Sequence, residues 1–121
     1  MTHEPPKMKS IQETKKPLTP QQLERAARVF STLSEVSRLR LLQELMQGPG
    51  TVSELVEATG MKQGNVSKQL GILHNARLVE RERDGNFIRY AIADEMVVHL
   101  CEVVCDSLRR QAIREAEQFT L

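Results

Sequence analysis

Residues 51–79 read TVSELVEATGMKQGNVSKQLGILHNARLV, and their periodicity decides the fold. Two short amphipathic helices are expected, over 52–59 and 63–76, joined by a tight turn at Gly60. In the first, Val52, Leu55, Val56 and Thr59 recur at spacings of three and four, which puts them on one face. In the second, Val66, Leu70, Leu73 and Ala76 do the same. The other face of the second helix carries Lys62, Gln63, Asn65, Ser67, Lys68 and Gln69. Those side chains are polar, rich in hydrogen-bonding groups and free of negative charge. Two helices of this length around a glycine turn make a helix-turn-helix, whose second helix can enter the major groove of DNA. Taken alone, the stretch equally suits a helical hairpin with a solvated outer face.

Upstream, Gly48-Pro49-Gly50 stops one helix, and Thr51 to Glu54 supplies a capping box that opens the next. The stopped helix starts at Ser34 or Glu35, with Val36, Leu39, Leu42, Leu45 and Met46 expected inward and Arg38 and Arg40 pointing elsewhere. Thr19-Pro20-Gln21-Gln22 is a further helix start: a capping threonine, a proline at the first helical position and a closing glutamine. That helix aligns Leu23, Ala26, Ala27, Phe30 and Leu33. Residues 1–18 have no apolar period and carry Lys7, Lys9, Lys15 and Lys16. They read as a basic arm, either solvated or adding phosphate contacts. Residues 19–121 form the domain proper.

After Leu78 the period falls to two. Leu78, Glu80 and Glu82 alternate with Val79, Arg81 and Arg83; Asp84-Gly85-Asn86 turns; and residues 87–92 return as a second β-prone run holding Arg89. This is a hairpin with a charged tip. A last helix opens at Asp94 and reaches about residue 118, with a stripe of Val97, Leu100, Cys101, Val104, Leu108 and Ala112. A terminal stripe of this kind on a small domain suits packing against a second copy.

The 121 residues are enough for one domain with a small core. One tyrosine, three phenylalanines and no tryptophan make that core aliphatic. A formal net charge of +1 excludes a general polycation that coats nucleic acid. The charge is unevenly distributed: residues 61–90 hold six basic side chains against three acidic, and residues 91–121 the reverse. A basic middle suits gripping an anion. No apolar run approaches the roughly 20 residues of a membrane span, and the first residues lack the apolar segment of a secretory signal. A cytoplasmic protein is expected, with Cys101 and Cys105 as thiols.

The order helix, helix, helix-turn-helix, hairpin, helix is a winged helix-turn-helix: mainly α, about five helices plus a two-stranded wing. The chain resembles the ArsR/SmtB-type bacterial transcriptional repressors over residues 23–108. The resemblance rests on Ser37-Arg38-Leu39-Arg40-Leu41-Leu42, on Val66-Ser67 followed by Leu70 and Leu73, on Leu78-Val79, and on Gly85 with Arg89-Tyr90. It implies a homodimer joined through the first and last helices. It also implies repression at an imperfect inverted repeat in double-stranded DNA, relieved by an inducer. The groove contacts would then be Lys62, Gln63, Asn65, Ser67, Lys68 and Gln69, with Arg81, Arg83, Asn86 and Arg89 on the wing. Gln63 and Asn65 have paired donors and acceptors that suit an adenine edge, whereas Lys62 and Lys68 suit phosphates.

The metal sites of similar repressors are missing from this sequence. The helix reading Ser53-Glu54-Leu55-Val56-Glu57 has no cysteine. Asp94 is followed by Met96 where a histidine would stand, and Ser107 and Arg110 occupy the downstream places. Gln43 stands where dithiol sensors place a cysteine. No metal site and no cofactor are expected on that pattern. Cys101 and Cys105 remain, one helical turn apart and about 6 Å along the axis. His99 is about 200° round the helix and cannot join them. The pair is open to two readings: core packing, or sensing of a thiol-reactive species, soft metal or metalloid. A winged-helix module that binds protein is the alternative from another class, and a regulator with no thiol or metal sensing is a further one. Three scattered histidines and no phosphate loop leave no plausible enzyme site.

Overall fold

The structure, a computed structural model, describes residues 16–119. The basic arm expected at the N-terminus therefore lies almost wholly outside the described residues. In chain order the elements are α1 (Pro20–Leu33), α2 (Val36–Leu45), β1 (Gly50–Thr51), α3 (Val52–Thr59), α4 (Gln63–Asn75), β2 (Val79–Asp84), β3 (Phe87–Ile92) and α5 (Glu95–Phe119).

Both capping boxes form. Thr19 Oγ1 accepts from the Gln22 N–H at 3.2 Å, and Gln22 Oε1 accepts from the Thr19 N–H at 3.0 Å. Thr51 and Glu54 repeat the exchange at 3.2 and 3.0 Å. α2 instead starts from Glu35, whose carboxylate accepts from the Arg38 N–H. Gly60 ends α3 at φ 73°, a left-handed conformation that glycine adopts without a Cβ penalty. α4 ends differently. Arg77 takes φ 63° in that role, with its N–H on the His74 carbonyl and the Leu78 N–H on the Leu73 carbonyl. That is a Schellman closure with a side chain where glycine is usual.

The core sits where α2, α3, α4 and the sheet meet. Leu41, Leu42, Leu45, Leu55, Val66, Leu70 and Leu73 are its centre, closed by Leu78, Val79, Tyr90 and Val97. Val36 and Leu39, expected inward, are exposed at 70% and 40%, and Leu41 takes the inward place. α1 has no buried residue, and its Leu23 and Phe30 are exposed. On α5 the stripe divides: Val97 is buried and Cys101 packs on the core, while Val104 and Leu108 are each 56% exposed. An apolar face therefore runs over α1, α2 and α5.

The wing has a third strand that the hairpin pattern did not announce. The sheet order is β1-β3-β2, all antiparallel, with Gly50 opposite Tyr90 and Thr51 opposite Arg89. Among the described residues no helix is long and apolar enough to cross a membrane.

Candidate nucleic-acid interface

α4 is held from below and open above. Val66, Leu70 and Leu73 are completely buried and fix which face looks inward. Lys62, Gln63, Ser67 and Lys68 are exposed and Asn65 is half-buried, so they line the outward face near the helix start. No side chain caps the first turn of α4, and a Cβ added at Gly64 would meet nothing within 4 Å. The helix start thus offers backbone N–H groups and a small, open surface, the arrangement that suits an approaching phosphate.

Gln69 departs from the expected outward set. It is 8% exposed, and its amide is used internally. Its Oε1 accepts from Arg38 Nη1 at 2.9 Å and its Nε2 donates to Asn65 Oδ1 at 3.0 Å. The signal for this burial was in the sequence: Gln69 is three residues from Val66 and four from Leu73, the spacing of the inward stripe. Arg38 and Arg40, given no role from sequence, brace the motif. Arg38 Nε donates to the Thr32 carbonyl at the end of α1, and Arg40 Nη2 donates to the Thr59 carbonyl at the end of α3. Cations at helix C-termini also favour the helix dipoles.

On the wing, strand register sorts the basic residues. Arg81 lies opposite Tyr90 and Arg83 opposite Ile88, so both share one face of the pleat. Arg89 is on the other face, opposite Glu82. There it pairs with Glu54 at 3.2 Å and Asp84 at 3.3 Å. Asn86 is exposed in the two-residue turn, with Gly85 at φ 63°. The wing thus has a face with two exposed arginines and a second face whose arginine is engaged by acids.

Cys101 and Cys105 are both half-buried thiols. They line a groove of about 430 Å³ with Phe30, Leu33, Val36, Leu39, Leu100 and Leu108. Burial pushes the Cys101 thiol up, and Cys105 beside it adds to the rise. Among the described residues no three histidines, cysteines or acids converge as a metal site.

A helical body carrying a helix-turn-helix and a bonded wing defines a winged helix-turn-helix DNA-binding regulator. Residues 35–81 match the family described as bacterial regulatory protein, arsR family. The chain is 41% identical over 90 residues to the HTH-type transcriptional regulator NmtR of Mycobacterium tuberculosis, covering 72% of this chain and 75% of that one. It is similar to the AntR antimony-specific transcriptional repressor, with a TM-score of 0.70, 35% identity, and 92% and 96% of the two chains covered. It also resembles the homodimeric winged helix-turn-helix DNA-binding domain Mb0332 from Mycobacterium bovis, with a TM-score of 0.70, 34% identity, and 76% and 85% covered. The chain belongs to the arsR family of bacterial regulators.

Proposed function

We propose that the protein is a homodimeric repressor that reads an inverted repeat through α4. The observation that carries this is the outward face of α4: exposed Lys62, Gln63, Ser67 and Lys68 with half-buried Asn65, and no acid among them. Each half-site receives one α4 in its major groove. Lys62 and Lys68 meet phosphates, and Gln63, Asn65 and Ser67 meet base edges. Arg81, Arg83 and Asn86 flank the groove from the wing. Arg89 serves from the far side of the pleat and must leave Glu54 and Asp84 to reach DNA. Gln69 supports the reading face from beneath. A second copy covers the exposed apolar face of α1, α2 and α5, in keeping with the homodimeric state named for Mb0332.

Asn65→Ala combined with Lys68→Ala is expected to abolish operator binding in a gel-shift assay while the dimer stays folded. Unchanged affinity overturns the groove assignment. Removing Lys68 alone should lower the slope of log affinity against log salt by about 1, uniformly across sequences.

The inducer we propose is thiophilic: a soft metal ion or trivalent metalloid held by Cys101 and Cys105. The thiols share one face of α5 and open into the groove, and AntR is described as antimony-specific. Two thiols are too few for a closed tetrahedral site, so two copies would contribute together. Antimonite should lower the operator affinity of the native protein and leave Cys101→Ser/Cys105→Ser unaffected. Equal responses return both residues to packing.

A further inference from the structure

One hydrogen-bond chain links the body of the protein to the reading face. Arg38 Nε donates to the Thr32 carbonyl at 2.6 Å, and Nη1 donates to Gln69 Oε1 at 2.9 Å. Gln69 Nε2 then donates to Asn65 Oδ1 at 3.0 Å. The direction of this chain is dictated by chemistry. A guanidinium has donors and no acceptor. Gln69 must therefore turn its oxygen to Arg38, which leaves its NH2 for Asn65. Asn65 must answer with its own oxygen, which leaves Nδ2 pointing away from the chain. An isolated asparagine could rotate its amide by half a turn and offer either end. Here burial of Gln69 at 8% exposure removes water as a substitute partner. Reversal of Gln69 would turn its NH2 on the Arg38 guanidinium, and reversal of Asn65 would turn its NH2 on Gln69 Nε2, donor against donor in both cases.

We propose that Arg38 is a positioning residue for sequence reading, which acts through Gln69 to make Asn65 present a hydrogen-bond donor to the operator. This rests on the reading of α4 as the groove helix. The acceptors that such a donor meets in the major groove are N7 of a purine, O6 of guanine and O4 of thymine. Exocyclic amines, themselves donors, are the groups it rejects, and cytosine, whose N4 has no acceptor beside it, is the base it excludes. Asn65 therefore adds discrimination at one base pair per half-site, and Arg38 and Gln69 supply it without touching DNA.

The experiment begins with duplexes selected from a randomised pool by the full-length protein. Affinities for the selected duplex and its single base-pair variants are measured by fluorescence anisotropy. Native protein and Asn65→Ala identify the base pair that depends on Asn65, expected to differ by about ten-fold or more between best and worst base. Gln69→Leu and Arg38→Met are expected to flatten that preference to within about three-fold. Preferences at other positions and affinity for unselected DNA should stay as in the native protein. Gln69→Glu is the sharper variant. Its carboxylate keeps the bond from Arg38 as an ion pair but offers Asn65 an acceptor in place of a donor. Asn65 then turns Nδ2 inward and Oδ1 outward, and the preferred base changes to cytosine, which offers the N4 donor and no acceptor in the major groove. A structural role alone would lower stability or overall affinity and would not invert a base preference. Retention of the native preference in Gln69→Glu, with normal folding by circular dichroism, overturns the proposal. Should Arg38→Met fail to fold, Gln69→Leu and Gln69→Glu still decide. Should Asn65→Ala leave every base-pair preference unchanged, the groove assignment beneath the proposal would fall instead.

Discussion

Glu54 Oε1 accepts from the Thr51 N–H at 3.0 Å and from Arg89 Nη1 at 3.2 Å. Both interactions favour the charged carboxylate, and the hydrogen bonds from Thr51 lower its pKa most, from the ordinary value of 4.5. A carboxyl lowered on folding contributes stability that is present above its unfolded pKa and is lost as pH falls through the folded one. The protein is therefore expected to lose thermal stability below about pH 4.5 in part through this group. Glu54→Gln, which can still accept from Thr51, should weaken that acid dependence measured by thermal unfolding at several pH values. An identical pH profile would show that the carboxylate contributes nothing. The group is exposed, so added salt should reduce the difference. Cys101 behaves oppositely: burial and Cys105 raise its thiol pKa, so a soft metal held as proposed would have to displace the thiol proton and would bind more strongly as pH rises.

At the scale of elements, the end of α4 carries a strained residue that can be relieved. Arg77 adopts the left-handed conformation at φ 63° in which a Cβ costs about 1–2 kcal/mol. Glycine would avoid that cost but bring more unfolded-state entropy. Arg77→Gly is thus expected to stabilise by about 0.5–1 kcal/mol, read as a higher urea midpoint at unchanged slope. Arg77→Val should do the reverse. A fall in midpoint for the glycine variant would mean that the arginine side chain contributes more than its backbone costs. The elements themselves were largely legible in the sequence, because capping boxes, glycine turns and the change of period from 3.6 to 2 are local signals. β1 was not. Gly50 and Thr51 are two residues with no alternation of their own, and they are a strand because β3 pairs with them. The candidate site was legible in part. The exposed members of α4 follow from its apolar stripe, but Gln69 looked like surface because its chemistry is polar, and its spacing was the better guide. Val36 and Leu39 satisfy the helix period yet lie outside the core, since nothing among the described residues of one chain covers them.

For the whole molecule, the exposed stripe of α5 bears on assembly. Val104 and Leu108 are each 56% exposed in one chain and add nothing to its own core. Val104→Asp with Leu108→Asp should leave the protomer folded and convert the proposed dimer to monomer by sedimentation, with operator affinity falling accordingly. A dimeric mass for that variant would move the interface elsewhere. Lys62 and Lys68 of α4 and Arg81 and Arg83 of the wing are exposed, whereas acids outnumber bases along α5. Thr51 pairs with Arg89 across the sheet while its hydroxyl caps α3, and Glu54 joins the same two residues. The wing and the start of the helix-turn-helix are therefore stitched into one body. In the proposed dimer each protomer would act as a jaw of a caliper, and what the proposed inducer would alter is the gap between two jaws, set where the copies meet. Spin labels at positions 57 and 82 of one chain should keep their separation when antimonite or DNA is added, while the distance between the two position-57 labels of the dimer changes. DNA with half-sites about 34 Å apart would act as the gauge against which that gap is measured.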